Sequence, residues 1–413
     1  MSNNMCFTKE YLQNPLFANQ PLSYEMPEVE KLQRTRRNDE TASQSGVFIQ
    51  ENGDVLFRVF ADTIDKIVLK FVINDIDLNY KLEMEKQPSG FHEYYLKNDG
   101  RFNGPLNCEV TYEGTVVLCP YLPVAWSVGR PYNYVEFPSH KNDFCMVRDV
   151  PHGKLEVRIY YAKEVQRYLR CLVYVPYGYE SSGIDYPVLY LQHGGGENET
   201  VWESTGKISA IMDNAIAEGK CVPFVVVMNN AQIRYPQDVQ PMIRDMCFPD
   251  VLIGSCIPFI EKEYRVRTDK DSRAIAGLSM GSFYSNDIAM WHPEMFSYTC
   301  ALTGCMFKPK REAAYEVPWK KIMLDEKGKM VKEQFRVFFQ SATTLENCID
   351  EVYEDNKICI ENGVADMPGY RFIIHDDGET KWTSWRMGLN SYIRMLFREA
   401  DAYKSRENME KYY

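Results

Sequence analysis

The sequence predicts an α/β protein in which a small antiparallel β-sandwich precedes a sheet with helices on both faces. Short alternating segments separated by turn signals such as Asn52-Gly53 dominate residues 46–125, a pattern typical of a sandwich. From about residue 150, apolar strands alternate with helical stretches, which indicates βαβ units around a parallel sheet. A chain of 413 residues is long enough for both parts.

The same changes of pattern set the expected domain limits. We expect, in order, a polar N-terminal arm, the β-sandwich, a proline-containing linker, the α/β domain and a C-terminal tail, over residues 1–45, 46–125, 126–149, 150–400 and 401–413.

Composition and charge narrow the possible partners. The chain is 45% hydrophobic and 25% charged, as in an average globular protein, which excludes a disordered, collagenous or coiled-coil protein. With 47 basic and 58 acidic residues, the net charge is −11. A negative protein is repelled by phosphate backbones and anionic lipid, so we expect neither nucleic acid nor membrane as a partner.

Targeting and cofactor signals are absent from the sequence. No leader-type apolar segment occurs near the N-terminus, and no apolar run is long enough to span a bilayer. The 12 cysteines form no CxxC pair, and neither GxGxxG nor a P-loop occurs, so we expect no metal and no cofactor. These observations favour a reduced, cytoplasmic protein, although a segment of an exported parent would look the same.

A GxSxG motif, Gly277-Leu-Ser-Met-Gly281, carries the clearest chemistry. It follows an apolar strand over residues 273–276 and precedes a helical stretch over 282–291. This is the context of a nucleophile elbow, in which small flanking residues allow a sharp strand-to-helix turn. Ser279 is therefore the candidate nucleophile, and the amide of Met280 is a candidate donor to an oxyanion.

A second glycine motif follows another predicted strand. His193-Gly-Gly-Gly196 matches an oxyanion loop, whose bare amides can approach a developing negative charge. Gly195 is the candidate donor in this loop. The alternative is a flexible glycine turn that His193 caps.

Residues from about 150 to 386 resemble the esterase family that contains the feruloyl and acetyl xylan esterases of carbohydrate esterase family 1 and the enterochelin esterases. The resemblance rests on both glycine motifs and on segments such as Val150-Pro-His-Gly153. The N-terminal strands resemble an immunoglobulin-like, starch-binding-type domain. The resemblance implies an α/β-hydrolase fold and serine-dependent hydrolysis of a small ester or an esterified oligosaccharide.

The chain departs from the family at the general base. The family's loop has the form Gly-x-His-x-Trp-x-x-Trp-Arg, and here it is Gly378-Glu-Thr-Lys-Trp-Thr-Ser-Trp-Arg386, so Thr380 stands in the place of histidine. A threonine cannot act as a base near neutral pH. The family's aspartate is not matched either, because the segment after residue 340 is Ser341-Ala-Thr-Thr-Leu345.

His375 is a possible substitute base, or it is a strand-end residue with local hydrogen bonds. Trp202 and Trp382 are candidates to stack on a sugar or cinnamoyl ring, with core packing as the alternative. Two functions follow: a weak serine ester hydrolase with a degraded triad, or an inactive homologue (a pseudoenzyme) that binds carbohydrate or a partner protein. The sequence leaves the ester, the sugar and the oligomeric state open.

Overall fold

The computed structural model describes residues 7–17, 44–72, 79–233, 247–304, 326–375 and 381–412. The chain divides into two compact units. The first comprises Met1–Val147 with Gly378–Thr383, and the second comprises Arg148–Asp377 with Ser384–Tyr413.

Two antiparallel sheets form most of the first unit. Their strands are β1 Gly46–Ile49, β2 Val55–Phe60, β3 Ile67–Val72, β4 Asn79–Glu83, β5 Glu85–Lys86, β6 Phe91–Leu96, β7 Gly104–Tyr112, β8 Thr115–Val117, β9 Val124–Ser127 and β10 Arg130–Phe137. The strand orders are β1-β2-β6-β5 and β4-β3-β7-β10-β9, with β8 on β7. Phe57 of one sheet packs on Phe71 of the other, with ring centroids 5.7 Å apart, so the two sheets share one core.

Part of the expected linker belongs to this fold, which corrects the sequence-based limit. Residues 126–137 form the end of β9, a two-residue turn and all of β10, and β10 pairs with both β7 and β9. Val135 and Phe137 are fully buried in the shared core. The prolines misled the prediction because Pro131 lies near the start of β10 and Pro138 just after its end, positions that a strand tolerates.

The described part of the N-terminal arm is not purely polar. Residues 7–17 contain a short helix, α1 Lys9–Leu12, and a 3₁₀ turn, Pro15–Phe17. The Thr8 hydroxyl caps α1 by accepting from the amide of Tyr11 at 3.1 Å. Phe7 and Phe17 are buried, so this segment is part of the folded unit.

An eight-stranded mixed sheet forms the centre of the second unit. Its strands are β11 Lys154–Ala162, β12 Arg167–Val175, β13 Val188–Gln192, β14 Val225–Asn229, β15 Arg273–Leu278, β16 Tyr298–Leu302, β17 Val337–Thr343 and β18 Tyr370–His375. Their order is β11-β12-β14-β13-β15-β16-β17-β18. The β11-β12 hairpin is antiparallel, and its strand β12 pairs antiparallel with β14. The remaining six strands, β13 to β18, run parallel to one another.

Helices cover this sheet on both faces. They are α2 Tyr179–Ser182, α3 Val201–Ser204, α4 Ile208–Ala217, α5 Phe248–Val251, α6 Ile257–Glu263, α7 Met280–Trp291, α8 Lys329–Gln334, α9 Ile349–Glu361, α10 Lys381–Met395 and α11 Arg406–Glu410. Because strand side chains alternate, Phe338 and Phe339 point to opposite faces of β17. Phe339 packs on Tyr392 of α10 at 5.6 Å, and Phe338 joins the core cluster that contains Ile260 of α6.

This packing explains why β13 to β16 read as almost unbroken apolar runs. Every residue of these four strands is buried, as expected for parallel strands covered on two sides. The carboxyl ends of β13 and β15 are neighbours, since Gln192 pairs with Gly277. The two glycine motifs therefore begin side by side. No helix among the described residues is long and apolar enough to cross a bilayer.

Candidate active site

Ser279 occupies a sharp turn between the carboxyl end of β15 and the start of α7. Its backbone has φ 48° and ψ −116°, a conformation that L residues rarely adopt and that costs free energy. Two contacts hold it there: its amide donates to the Leu302 carbonyl at 2.9 Å, and its own carbonyl accepts from the Ser282 amide at 3.0 Å. The geometry is that of the predicted nucleophile elbow.

Close backbone approach explains both glycines of the GxSxG motif. A Cβ on Gly277 would lie 2.3 Å from the Gly281 carbonyl oxygen, and a Cβ on Gly281 would lie 2.5 Å from that of His193. Real Cβ contacts are not this short, so a side chain at either position would push the turn apart. The first turn of α7 thus rests directly on the loop that follows β13.

The glycine loop lies against the elbow. A Cβ on Gly194 would lie 2.6 Å from the Leu278 side chain and 3.4 Å from the Ser279 Cβ, so the two motifs touch. The Gly194 amide donates to the Glu197 carboxyl at 2.8 Å and is therefore occupied. A Cβ on Gly195 would meet nothing within 4 Å, so open space lies on that side of the residue.

The Met280 amide is the second predicted donor. Met280 is the first residue of α7, where backbone N–H groups have no partner within the helix and the helix dipole favours negative charge. Amides of this kind stabilise an oxyanion that develops on a substrate carbonyl beside the serine.

His193 anchors the loop. Its ring is buried, and its Nε2 accepts from the Ala231 amide at 2.9 Å. The other nitrogen therefore carries the proton, and Nδ1 donates to the Gly194 carbonyl at 2.7 Å. Burial lowers the pKa of the imidazole, so the ring is neutral. Both nitrogens of His193 are therefore already in use.

Glu197 is a feature of the site that the sequence analysis missed. Its carboxyl is buried beside Gly194, where burial raises its pKa to about 8 against the smaller, opposite effect of the Gly194 amide. The group is thus largely protonated at neutral pH and places no full negative charge beside the oxyanion loop. An acidic residue within a glycine-rich loop was the available signal, but only burial gives it this property.

The structure does not bring His375 to Ser279. His375 pairs with Thr343 at the end of β18, and β18 is separated from β15 by β16 and β17. Three strand spacings of about 4.8 Å put these strands roughly 14 Å apart, beyond the combined reach of a histidine and a serine. Among the described residues, no imidazole is hydrogen-bonded to Ser279. Thr380 lies outside the described residues.

The two predicted stacking tryptophans are buried, which corrects that expectation. Trp202 is 1% exposed, and its Nε1 donates to the Gln192 carbonyl at 2.9 Å beneath the glycine loop. Trp382 is 7% exposed. A ring with so little free surface cannot stack on a substrate, and the area that a tryptophan removes from water favours the core.

The other anchors of the C-terminal loop motif also pack inside. The Trp385 Nε1 donates to the Thr303 hydroxyl at 2.9 Å, and the buried Arg386 Nε donates to the Thr205 carbonyl at 2.8 Å. Thr303 directly follows β16, next to the elbow, so Trp385 supports the wall of the site. Within the described ranges, no group of three or more His, Cys, Asp or Glu residues could hold a metal ion.

Comparison with known proteins shows which family this chain is similar to. The model of the Esterase family, described as "Putative esterase", matches residues 162–393. An endo-1,4-beta-xylanase/feruloyl esterase of Xylanibacter ruminicola is 37% identical over 230 residues, which are 54% of this chain and 29% of that protein. The chain spans less than a third of the length of the curated relatives it matches.

Solved structures show the same fold. A ferulic acid esterase is 24% identical with a TM-score of 0.50, over 59% of this chain and 96% of that one. The enterochelin esterase of Shigella flexneri is 14% identical with a TM-score of 0.59, over 88% and 98% of the two chains. The predicted α/β-hydrolase fold with a preceding antiparallel β-sandwich is confirmed. Since the family model spans more than half of the chain, this protein belongs to the Esterase family.

Proposed function

We propose that this protein is a serine carboxylic-ester hydrolase of the feruloyl and acetyl carbohydrate-esterase type, with a degraded triad and slow turnover. Its substrate is a small ester or an esterified oligosaccharide. The observation that carries the proposal is the contact between the Ser279 elbow and the Gly194 loop, because a nucleophile and oxyanion donors must meet at one point. The 37% identity to a xylanase/feruloyl esterase supports a feruloyl acyl group.

In the proposed hydrolysis, Ser279, Gly195 and Met280 have separate roles. The Ser279 oxygen attacks the ester carbonyl, and its proton leaves to water or a weak acceptor. The amides of Gly195 and Met280 stabilise the tetrahedral oxyanion, which collapses to an acyl-serine as the alcohol departs with a proton. A water molecule then attacks the acyl-serine through the same two steps, which releases the carboxylic acid and returns the proton to Ser279. The strained backbone of Ser279 keeps its oxygen clear of the sheet throughout.

Turnover is slow because the proton step lacks its usual catalyst. Thr380 stands in the sequence where the family has histidine, and Thr344 and Leu345 stand near the place of its aspartate. An oxyanion hole and binding alone leave about 10³–10⁴-fold acceleration over water when triad members are missing. That is several kcal/mol short of a competent enzyme, at about 1.36 kcal/mol per tenfold in rate.

A second candidate function is an inactive homologue that binds carbohydrate or a partner protein. The separation of His375 from β15 favours it, since this histidine is the residue after Ser279 that could otherwise have replaced the base. An intact elbow would then be an inherited feature of the fold rather than a working one.

Labelling with a fluorophosphonate separates the two functions, because the reagent is attacked covalently by a serine that lies beside oxyanion donors. We expect wild-type protein to be labelled slowly at Ser279, since this serine lacks its usual base, and to hydrolyse nitrophenyl acetate and methyl ferulate slowly. Ser279→Ala should abolish both reactions. Ser181→Ala, which removes an exposed serine of α2, should change neither.

Two outcomes would contradict the proposal. Wild-type protein that is neither labelled nor active, yet binds feruloylated oligosaccharide, would establish the binding function instead. Hydrolysis that survives Ser279→Ala would mean that another group carries the reaction.

A further inference from the structure

Among the strands that the structure describes, β11 is an edge of the large sheet. It has nine residues, and β12 is the one described strand that pairs with it. Its other side therefore presents a row of backbone N–H and C=O groups that can pair with another strand. Monomeric proteins usually blunt such an edge with a proline, a bulge, a short strand or charged side chains, and of these devices β11 has only the charged side chains of Lys154, Glu156 and Arg158. β11 contains no proline and pairs with β12 without interruption from Lys154 to Ala162.

One face of β11 is apolar and exposed. Val157 and Ile159 are 61% and 64% exposed, and Leu155 and Tyr161 lie on the same face because strand side chains alternate. Tyr168 of β12, 73% exposed, extends this surface by packing on Tyr161 at 5.3 Å between ring centroids. We call these five residues the hairpin patch. A contiguous exposed apolar surface of this kind marks an interaction site.

The opposite face of β11 carries opposite charges. Glu156 and Arg158 lie 3.3 Å apart, and the Tyr264 hydroxyl bonds to both of them. Both side chains remain about a third exposed. A strand that approaches this edge would therefore meet a negative and a positive group two residues apart.

We propose that two copies of this chain form a dimer by antiparallel pairing of their β11 edges, with the two-fold axis at Val157. This register sets Glu156 opposite Arg158 of the second copy, twice. On the other face it sets Leu155 opposite Ile159 and Val157 opposite itself. On one face of the paired strands the two hairpin patches therefore meet. On the other face each Glu156 lies opposite a residue of opposite charge.

The neighbouring registers do not match in this way. An axis at Glu156 opposes Glu156 to itself and Lys154 to Arg158, and an axis at Arg158 opposes two arginines. Cross-strand like charges are destabilising. An axis between two residues would set the apolar face of one copy against the charged face of the other. Because the edge complements itself about Val157, a second copy is the occupant that the sequence of β11 specifies.

The test is the mass of the full chain in solution, measured by light scattering after size exclusion over 1–100 µM. We expect twice the 48.1 kDa of one chain, and Val157→Lys should give one chain mass with an unchanged circular dichroism spectrum. A wild-type protein that stays at one chain mass at every concentration would overturn the proposal, and so would a dimer that persists in Val157→Lys.

Cysteine substitution tests the register. Opposed side chains across an antiparallel pair have Cβ atoms about 4.5–5.5 Å apart, close to disulfide geometry. Val157→Cys should therefore cross-link two copies under mild oxidation. Ile159→Cys is the matched control, because in this register Ile159 faces Leu155 and lies four residues away from its own copy. Cross-linking through Ile159→Cys with none through Val157→Cys would overturn the proposed pairing.

Discussion

Replacing Glu197 by Gln tests whether this carboxyl is buried in its neutral form beside the oxyanion loop. The group's ordinary pKa is 4.5, and burial in the folded protein raises it to about 8. Gln has nearly the same shape, and its carbonyl oxygen can still accept from the Gly194 amide at 2.8 Å. The substitution therefore removes the titration and keeps the contact.

The sign and size of the effect follow from proton linkage. Between about pH 4.5 and 8 the folded state holds a proton that the unfolded state has lost, so the free energy of unfolding decreases as pH rises through this window. At about 1.36 kcal/mol per pH unit, the penalty reaches roughly 3 kcal/mol at pH 7. Gln carries no such penalty. At about 2 °C per kcal/mol for a unit of this size, Glu197→Gln should raise Tm by about 6 °C at pH 7.

Thermal unfolding followed by circular dichroism from pH 5 to 8 is the assay. The difference in Tm between variant and wild type should be small at pH 5 and grow steadily toward pH 8. Glu361→Gln, which changes an exposed carboxylate of α9, is the control and should shift Tm little at any pH. A Tm difference for Glu197→Gln that is independent of pH, or that shrinks toward pH 8, would refute the reasoning.

Three further predictions concern the site. Gly281→Ala places a Cβ 2.5 Å from the His193 carbonyl oxygen, so the elbow must shift. We therefore expect Tm to fall and fluorophosphonate labelling of Ser279 to slow at least tenfold. Unchanged labelling would contradict the close packing. Trp202→Phe removes the donor to the Gln192 carbonyl. In urea unfolding this should cost about 1–3 kcal/mol of stability, while KM stays unchanged. If Trp202 instead stacked on the substrate, the substitution would raise KM with little loss of stability. Thr380→His should raise turnover of nitrophenyl acetate, and adding Thr344→Asp should raise it further, with both gains lost in Ser279→Ala. Wild-type turnover already typical of esterases would disprove the degraded triad.

The sequence by itself determined the fold class and the position of the elbow, because both depend on local patterns. The alternation of apolar strands with helical stretches requires a sheet covered on two sides, and β13 to β16 are indeed wholly buried. A serine between two glycines, after a strand and before a helix, can adopt only a narrow range of turns. Ser279 accordingly lies on such a turn at the carboxyl end of β15.

The environment of each side chain was decided by the tertiary structure. Trp202 and Trp382 looked equally suited to a substrate surface or a core, and packing placed both inside. The sequence places Glu197 in a glycine-rich loop but does not give its raised pKa, because a pKa shift of this kind arises from burial and not from residue type. The sequence neighbourhood of His375 resembled a catalytic loop, but the order of the strands sets it three strands away from β15. The exposed face of β11 is also a property of the assembled sheet, since only strand order makes β11 an edge.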